Sequence, residues 1–223
     1  MCWNWQTSLA TFLIGTACNV VLYGLIKKYP KNETLDRSFI AMILIWEYIL
    51  LMQLFDFFSW ISQGKEMNCT PLNRMATIGA YIETLTQPIV VICILLLLVG
   101  NQEKWKYTFA GIALFIYIIG IFYELYFKKH EQINCMRPTE TCSHLDYVWW
   151  GNMKISQWLY LIIIFGSILL LLQPSSFAML QAGYLFIAYM ISYIWYSCSI
   201  ANMWCWVSAF APIVNILIWK FYV

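Results

Sequence analysis

The chain has 223 residues, of which 62% are hydrophobic and only 11% are charged. A soluble globular domain has roughly 45–50% apolar and about 25% charged residues, so this composition excludes an ordinary water-soluble protein. The formal net charge of +2 gives no concentrated basic face, and we expect no nucleic-acid partner. The composition therefore predicts a single domain, residues 1–223, whose main partner is a lipid bilayer.

Seven apolar segments are long enough to cross a bilayer as helices, because about 20 residues span the hydrocarbon core. Backbone groups find no water in lipid, so helices are the structure that satisfies their hydrogen bonds there. The sequence thus predicts an all-α integral membrane protein, a bundle of seven transmembrane helices. The predicted spans are Leu9–Ile26, Phe39–Ile61, Ile78–Gly100, Tyr107–Phe127, Ile155–Leu172, Phe177–Ile200 and Met203–Tyr222.

The positions of the cysteines decide the predicted orientation. Lysine and arginine are divided almost equally between the two sides, so the positive-inside rule does not choose between them. Six of the eight cysteines lie on one side, in loops or at the membrane edge, which favours disulfides in an oxidising compartment. The alternative is that they are merely small apolar residues. We predict an N-terminus outside or lumenal and a cytosolic C-terminus. The disulfide candidates are Cys2, Cys69, Cys135, Cys142, Cys198 and Cys205.

Polar side chains within the second and third spans form the candidate site. Gln53 and Asp56 share one face of the second span, and Glu83, Thr86 and Gln87 lie at a similar depth in the third. Ionisable groups at membrane depth are costly and usually face a bundle interior or a water-filled cavity. Two carboxyl groups on neighbouring helices could bind a cation, share a proton or form a relay. Alternatively, each could reach the interface or be neutral and hydrogen-bonded within the packing.

Two other polar sets are less diagnostic. Glu47 lies near the opposite side of the second span from Asp56 and could face a different helix pair or the inner end of a pathway. A second polar face, on the seventh span, consists of Trp204, Ser208 and Asn215. Hydrogen bonds between packed helices explain such a face as well as a pore or pocket does. Pro88 and Pro212 remove backbone donors inside two spans and predict kinks there.

Enzyme chemistry has no visible basis in the sequence. The two histidines, His130 and His144, lie in the long outer loop, whereas a haem or intramembrane metal site needs histidines inside the spans. No nucleophile–base motif and no P-loop is present. We therefore predict no metal, no cofactor and no enzymatic activity.

Four short motifs carry a resemblance to a known family. They are MCWNWQTSLATF at the N-terminus, MQLFDFFSW in the second span, Thr86-Gln87-Pro88 in the third and MWCW at the seventh. Together they resemble a family of small multi-pass membrane proteins of large nucleocytoplasmic DNA viruses and some algae. Asp56 stands where that family's motif has glutamate. The resemblance implies a viral setting and no particular biochemical activity.

Three functions fit these observations. The first is a channel- or transporter-like or sensing bundle with a buried polar site for protons or a small cation. The second is a structural protein of a viral internal membrane or envelope that contacts capsid proteins or neighbouring copies, as in a homo-oligomer. It predicts a dry, densely packed bundle with satisfied carboxylates. The third is a receptor-like seven-helix protein. The membrane would be a host endomembrane, the plasma membrane or a viral internal membrane.

Overall fold

The computed structural model describes residues 4–63, 69–99, 103–127, 135–139, 142–145, 147, 154–196 and 200–221. Within these ranges the chain is helical apart from its connections and one short antiparallel pair of strands. The elements are α1 (Trp5–Lys28), α2 (Glu33–Ile61), α3 (Pro71–Leu98), α4 (Lys104–Phe127), β1 (Pro138–Thr139), β2 (Cys142–Leu145), α5 (Lys154–Leu171), α6 (Ser175–Trp195), α7 (Ile200–Ser208) and α8 (Ala211–Phe221).

The helices confirm the predicted all-α bundle of membrane type. Among the described residues, six apolar helical stretches are long enough to cross a membrane, the last of them running from α7 through α8, and α5 provides a shorter one. Large apolar side chains such as Leu97, Phe115 and Ile187 are exposed on the outside of the bundle. Such a surface suits contact with lipid and would be unfavourable in water.

Polar residues begin the first three helices earlier than the apolar runs predict. The Asn4 side chain accepts a hydrogen bond from the amide of Thr7, and Asn32 accepts one from the amide of Leu35, each at 2.8 Å. At the start of α3 the Thr70 hydroxyl caps the helix in the same way. Caps of this kind satisfy donors that the first helical turn leaves unpaired. The helices therefore extend beyond the hydrocarbon-length segments visible in the sequence.

Helix α2 lies at the centre of the bundle. It contacts α1, α3, α7 and α8. Its fully buried side chains Phe39, Met42, Trp46 and Leu50 follow helical spacing along one face. The ring of Phe39 packs against that of Phe177 on α6, with centroids 4.4 Å apart. The same face continues one turn further into polar residues, which places the candidate site inside the bundle.

The predicted seventh span is broken into two helices. Helix α7 ends at Ser208, a turn covers Ala209 and Phe210, and α8 begins at Ala211 with Pro212 as its second residue. Proline has no backbone N–H and is well tolerated in the first turn of a helix, where that donor would have no helical partner. The sequence predicted a kink within one helix at Pro212, whereas the span is interrupted by a turn and a new helix begins there. By contrast, α3 continues unbroken through Pro88.

A loop segment covers one end of the bundle. This cap segment, residues 135–139, 142–145 and 147, follows α4 and lies where α2 ends and α3 begins, which we call the outer end. The Asn73 side-chain amide donates to the carbonyl oxygens of Ser59 and Met136, at 3.1 and 3.2 Å. The Met136 amide donates to the Thr77 hydroxyl at 3.0 Å. These bonds attach the cap segment to α3 and join the start of α3 to the end of α2.

The disulfide prediction is confirmed for two residues and wrong for one. Cys69 and Cys135 form a disulfide that joins the start of α3 to the cap segment, with their Cα atoms 5.5 Å apart. Cys205 is a free thiol, buried among helices, where a small apolar residue packs well. The predictions for Cys2, Cys198 and the side chain of Cys142 lie outside the described residues.

Candidate functional site

The two predicted carboxyl groups both face the interior of the bundle. The exposed fraction is 0% for Asp56 on α2 and 3% for Glu83 on α3. The two groups are close enough to interact electrostatically, and both interact with the thiol of Cys205 on α7. The structure therefore brings together the two residues that the sequence placed at similar depth. Neither carboxyl group is directed into lipid.

A tyrosine from the cap segment contacts the first carboxyl group. The phenol of Tyr147 donates a hydrogen bond of 2.9 Å to Oδ1 of Asp56. Burial raises the pKa of the Tyr147 phenol well above its ordinary value, and the nearby Asp56 carboxyl raises it further. The phenol therefore stays protonated and remains a donor to Asp56. The cap segment thus closes the outer side of the site with a polar contact.

The second carboxyl group is held by a chain of neutral side chains. The amide nitrogen of Gln87 donates to Oε1 of Glu83 at 2.6 Å, within one turn of α3. The phenol of Tyr160 on α5 donates in turn to Oε1 of Gln87. Among the described residues, Oε2 of Glu83 has no hydrogen-bond partner. The chain from Tyr160 through Gln87 to Glu83 links α5 to the centre of the bundle.

Gln53 adds a buried amide beside these groups. It lies three residues before Asp56 on α2 and is fully buried. Neither its Oε1 nor its Nε2 has a partner within the described part of the chain. A buried polar group without a hydrogen bond costs roughly 1–3 kcal/mol. The position of Gln53 is therefore unfavourable for stability, which is common in residues that serve a site.

Replacing Gln53 with leucine is expected to stabilise the protein by about 1–3 kcal/mol, because an apolar side chain of similar volume removes the unpaired amide. The matched control is Gln87→Leu, which deletes the donor to Glu83 and is expected to destabilise by about 1–3 kcal/mol. Free energies of unfolding measured by SDS titration in mixed micelles would compare the two variants. Equal destabilisation by both substitutions would show that the Gln53 amide is well paired.

A small cavity lies next to the Gln87 amide. Its volume is about 10 Å³, which is close to the space that one water molecule needs. The residues that line it include Gln87, Tyr160, Trp204 and Ser208, from α3, α5 and α7, and the surface that the lining presents to the cavity is apolar. The hydroxyl of Ser208 has no partner among the described residues. Two residues of the predicted polar face of the seventh span thus join the candidate site.

The third residue of that face, Asn215, lies elsewhere. The side-chain amide of Gln181 on α6 donates to Oδ1 of Asn215 on α8 at 2.6 Å. The indole N–H of Trp46 lies 3.4 Å from Oε1 of Gln181. These contacts join three helices through buried side chains. They match the helix-packing interpretation of polar residues in this span.

Two residues predicted for the polar site lie outside the Asp56–Glu83 cluster. Glu47 faces α1, where the Thr16 hydroxyl and the Asn19 amide donate to its carboxylate oxygens at 2.8 and 2.9 Å. The hydroxyl of Thr86 lies 2.6 Å from the phenol of Tyr48. Glu47 is nine residues from Asp56, which places the two side chains on different faces of α2. The candidate site is therefore smaller than the sequence predicts.

No family model, curated protein or solved structure matches this chain. In the parts of the chain that the structure describes, no group of three or more His, Cys, Asp or Glu side chains is placed to hold a metal ion.

Sequence reasoning missed two tyrosines of the site. Tyr147 lies in a loop, 91 residues from Asp56, and no periodic pattern connects the two. Tyr160 lies in an apolar segment, where a tyrosine usually indicates the membrane interface. A phenol that can reach a carboxyl or amide group has no signature in the sequence alone.

Proposed function

We propose that the protein is a proton-handling membrane bundle, channel- or transporter-like, in which Asp56 and Glu83 bind and release the proton. The observation that carries the proposal is Glu83: its carboxyl group is buried, its described hydrogen-bond partner is the neutral Gln87, and Asp56 lies within electrostatic reach. Two nearby carboxyl groups in a low-dielectric interior hold one shared proton more easily than two negative charges. Such a pair can take up or release a proton without unfolding.

The contacts of the cluster favour a proton over a small metal cation. A hard cation such as Ca²⁺ needs about six to eight oxygen ligands. Here the amide of Gln87 and the phenol of Tyr147 present hydrogen-bond donors to the carboxyl groups. Donors stabilise a carboxylate and repel a cation. The neighbouring cavity of about 10 Å³ also leaves little space for a coordination shell.

A proton route through this site would have two ends. On the outer side, the phenol of Tyr147, a residue of the cap segment, donates to Asp56 and covers it. On the other side, Glu83 leads through Gln87 to the cavity bounded by Tyr160 and Ser208. Exchange with the outside requires the Tyr147 contact to open. In this proposal, the hydrogen bond between Tyr147 and Asp56 keeps the outer side closed.

Proton flux in proteoliposomes tests this proposal. A potassium gradient with valinomycin drives the flux, and a pH-sensitive dye inside the vesicles reports it. The substitutions Asp56→Asn and Glu83→Gln remove the titrating groups at nearly constant volume. Each is expected to lower the initial proton flux at least about tenfold, because the pathway then lacks its proton acceptor.

The matched control is Glu47→Gln. It also removes one carboxyl group from α2, but that group faces Thr16 and Asn19 on α1. We expect its flux to stay within about twofold of the wild type, since its carboxylate lies outside the cluster. Equal leak in all four proteins, with normal elution profiles, would overturn the proposal.

A structural role in a viral membrane is the second candidate. The dense packing of the buried cluster supports it, since the cavity there is only about 10 Å³. The motif resemblance supports a viral origin and, with it, a viral internal membrane or a host membrane as the location. This role predicts high copy number in particles and no proton flux. The same liposome experiment therefore separates the two candidates.

A further inference from the structure

An apolar groove lies between α1 and α8, at the end of the bundle opposite the cap segment. Its volume is about 730 Å³, which is in the range of sites for small organic ligands. Leu25 and Ile216 contribute apolar walls, and Tyr29 and Trp219 contribute aromatic ones. Aromatic side chains of this kind concentrate at the membrane interface. The groove therefore opens at the level where lipid headgroups meet acyl chains.

Two lysines belong to this groove. Lys31 is held in place: its ammonium nitrogen donates to the backbone carbonyl of Trp219 at 3.2 Å and lies 4.9 Å from the centre of the indole ring. An ammonium group has three donors, so Lys31 keeps donors for a further acceptor. Lys220, in the last turn of α8, is exposed beside it. The groove thus combines apolar walls with two positive charges, of which that of Lys31 is held in place.

The charges around the groove are predominantly positive. Lys27 and Lys28 lie in the last turn of α1, next to it. An acidic group, Asp36, also lies beside it: its carboxylate oxygens accept from the backbone amide of Lys31 at 3.2 Å. One carboxylate does not balance four ammonium groups. The groove is therefore complementary to a ligand that joins a negative headgroup to an apolar tail.

We propose that this groove is a binding site for an anionic phospholipid. The phosphate would lie between Lys31 and Lys220, and an acyl chain would follow Leu25 and Ile216. A soluble anion would make no use of the apolar walls, and a zwitterionic lipid would gain less from the lysines. The predicted orientation places this end in the cytosolic leaflet, where anionic lipids are found.

Lipid-dependent thermal stability of the purified protein in detergent tests the proposal. Phosphatidylglycerol and phosphatidylcholine with identical acyl chains are titrated, and the half-saturating lipid concentration is measured for each. We expect phosphatidylglycerol to saturate at an at least tenfold lower concentration than phosphatidylcholine. The variant Lys31→Gln/Lys220→Gln should bind phosphatidylglycerol roughly 25-fold more weakly, from about fivefold for each lysine near a lipid phosphate.

Two further variants separate the groove from general surface charge. Lys104→Gln/Lys106→Gln removes the same number of charges at the same end of the bundle, and Lys106 borders a different cavity with Glu33 and Arg37. It should leave the selectivity unchanged. Lys31→Arg keeps both the charge and the donors and should retain selectivity, which guards against a loss caused by misfolding.

Three results would overturn the proposal. The first is equal stabilisation by the anionic and the zwitterionic lipid. The second is an equal loss of selectivity in the two double variants, which indicates only non-specific attraction. The third is stabilisation by free glycerol phosphate that matches phosphatidylglycerol, which indicates a site for soluble anions. None of these measurements depends on proton flux, so this proposal and the proposed function can fail separately.

Discussion

Replacing Trp46 by alanine is expected to lower the free energy of unfolding by about 3–5 kcal/mol. Trp46 is fully buried in α2, the helix that most others contact. Its ring packs edge-to-face on Tyr184 of α6, with centroids 6.1 Å apart, and its indole N–H reaches Gln181. Van der Waals packing is a main source of helix association in lipid. A cavity at this position therefore removes packing contacts that no other interaction replaces.

SDS titration in mixed micelles would measure this loss, with two variants as references. Trp46→Phe keeps an aromatic ring and loses the indole N–H, so its cost should be clearly smaller than that of alanine. Trp158→Ala removes a tryptophan whose side chain is 63% exposed, and its effect should stay within about 0.5 kcal/mol. A cost for Trp46→Ala equal to that for Trp158→Ala would contradict the central position of α2.

The helices themselves could be predicted from the sequence because lipid imposes a simple rule. A segment must be apolar over about 20 residues, and its backbone must satisfy its own hydrogen bonds. The predicted spans consequently lie within or close to α1 to α6. The ends moved outward where Asn4, Asn32 and Thr70 cap helices, since capping depends on single polar residues beyond the apolar run.

The packing of the helices was harder to predict, because lipid and protein core select the same residue types. Leu97 and Phe115 are exposed and are as apolar as the buried Phe39 and Trp46. Apolar periodicity therefore does not distinguish the inner face of a membrane helix from its outer face. Polar residues such as Gln53 are informative because lipid excludes them. Only where such residues occur did the sequence predict the buried face.

The candidate site could be predicted from the sequence only in part. Polar residues within spans indicated Asp56, Glu83 and Gln87 correctly as buried. The same pattern could not distinguish Glu47 from the cluster, although the Glu47 carboxylate accepts its hydrogen bonds from side chains of α1. The contribution of Tyr147 depends on a loop fold that the disulfide and the Asn73 contacts determine. Long-range contacts of this kind exist only once the tertiary structure has formed.

Loss of the disulfide through Cys69→Ser/Cys135→Ser is expected to destabilise the protein by about 2–4 kcal/mol. The bond closes a loop with a sequence separation of 66 residues, for which chain entropy alone predicts a cost near 4 kcal/mol. Helices α3 and α4 lie within this loop and remain in the detergent micelle after unfolding, which limits the entropy gained. We therefore expect a value toward the lower end, measured by SDS titration with and without dithiothreitol.

The disulfide also holds the cap segment, and with it Tyr147, over the outer end of the bundle. If the Tyr147 contact closes the site, loss of the disulfide should therefore raise proton flux. The variant Tyr147→Phe keeps the disulfide and removes only the hydroxyl contact with Asp56. It should also raise proton flux, with a smaller loss of stability of about 1 kcal/mol. Cys93→Ser removes an exposed free thiol and should change neither property. Unchanged stability of the wild type under dithiothreitol, with reduction verified by mass, would contradict a structural role for the bond. Normal destabilisation with unchanged flux would leave the disulfide as a structural link and would contradict closure of the proton site by the cap segment.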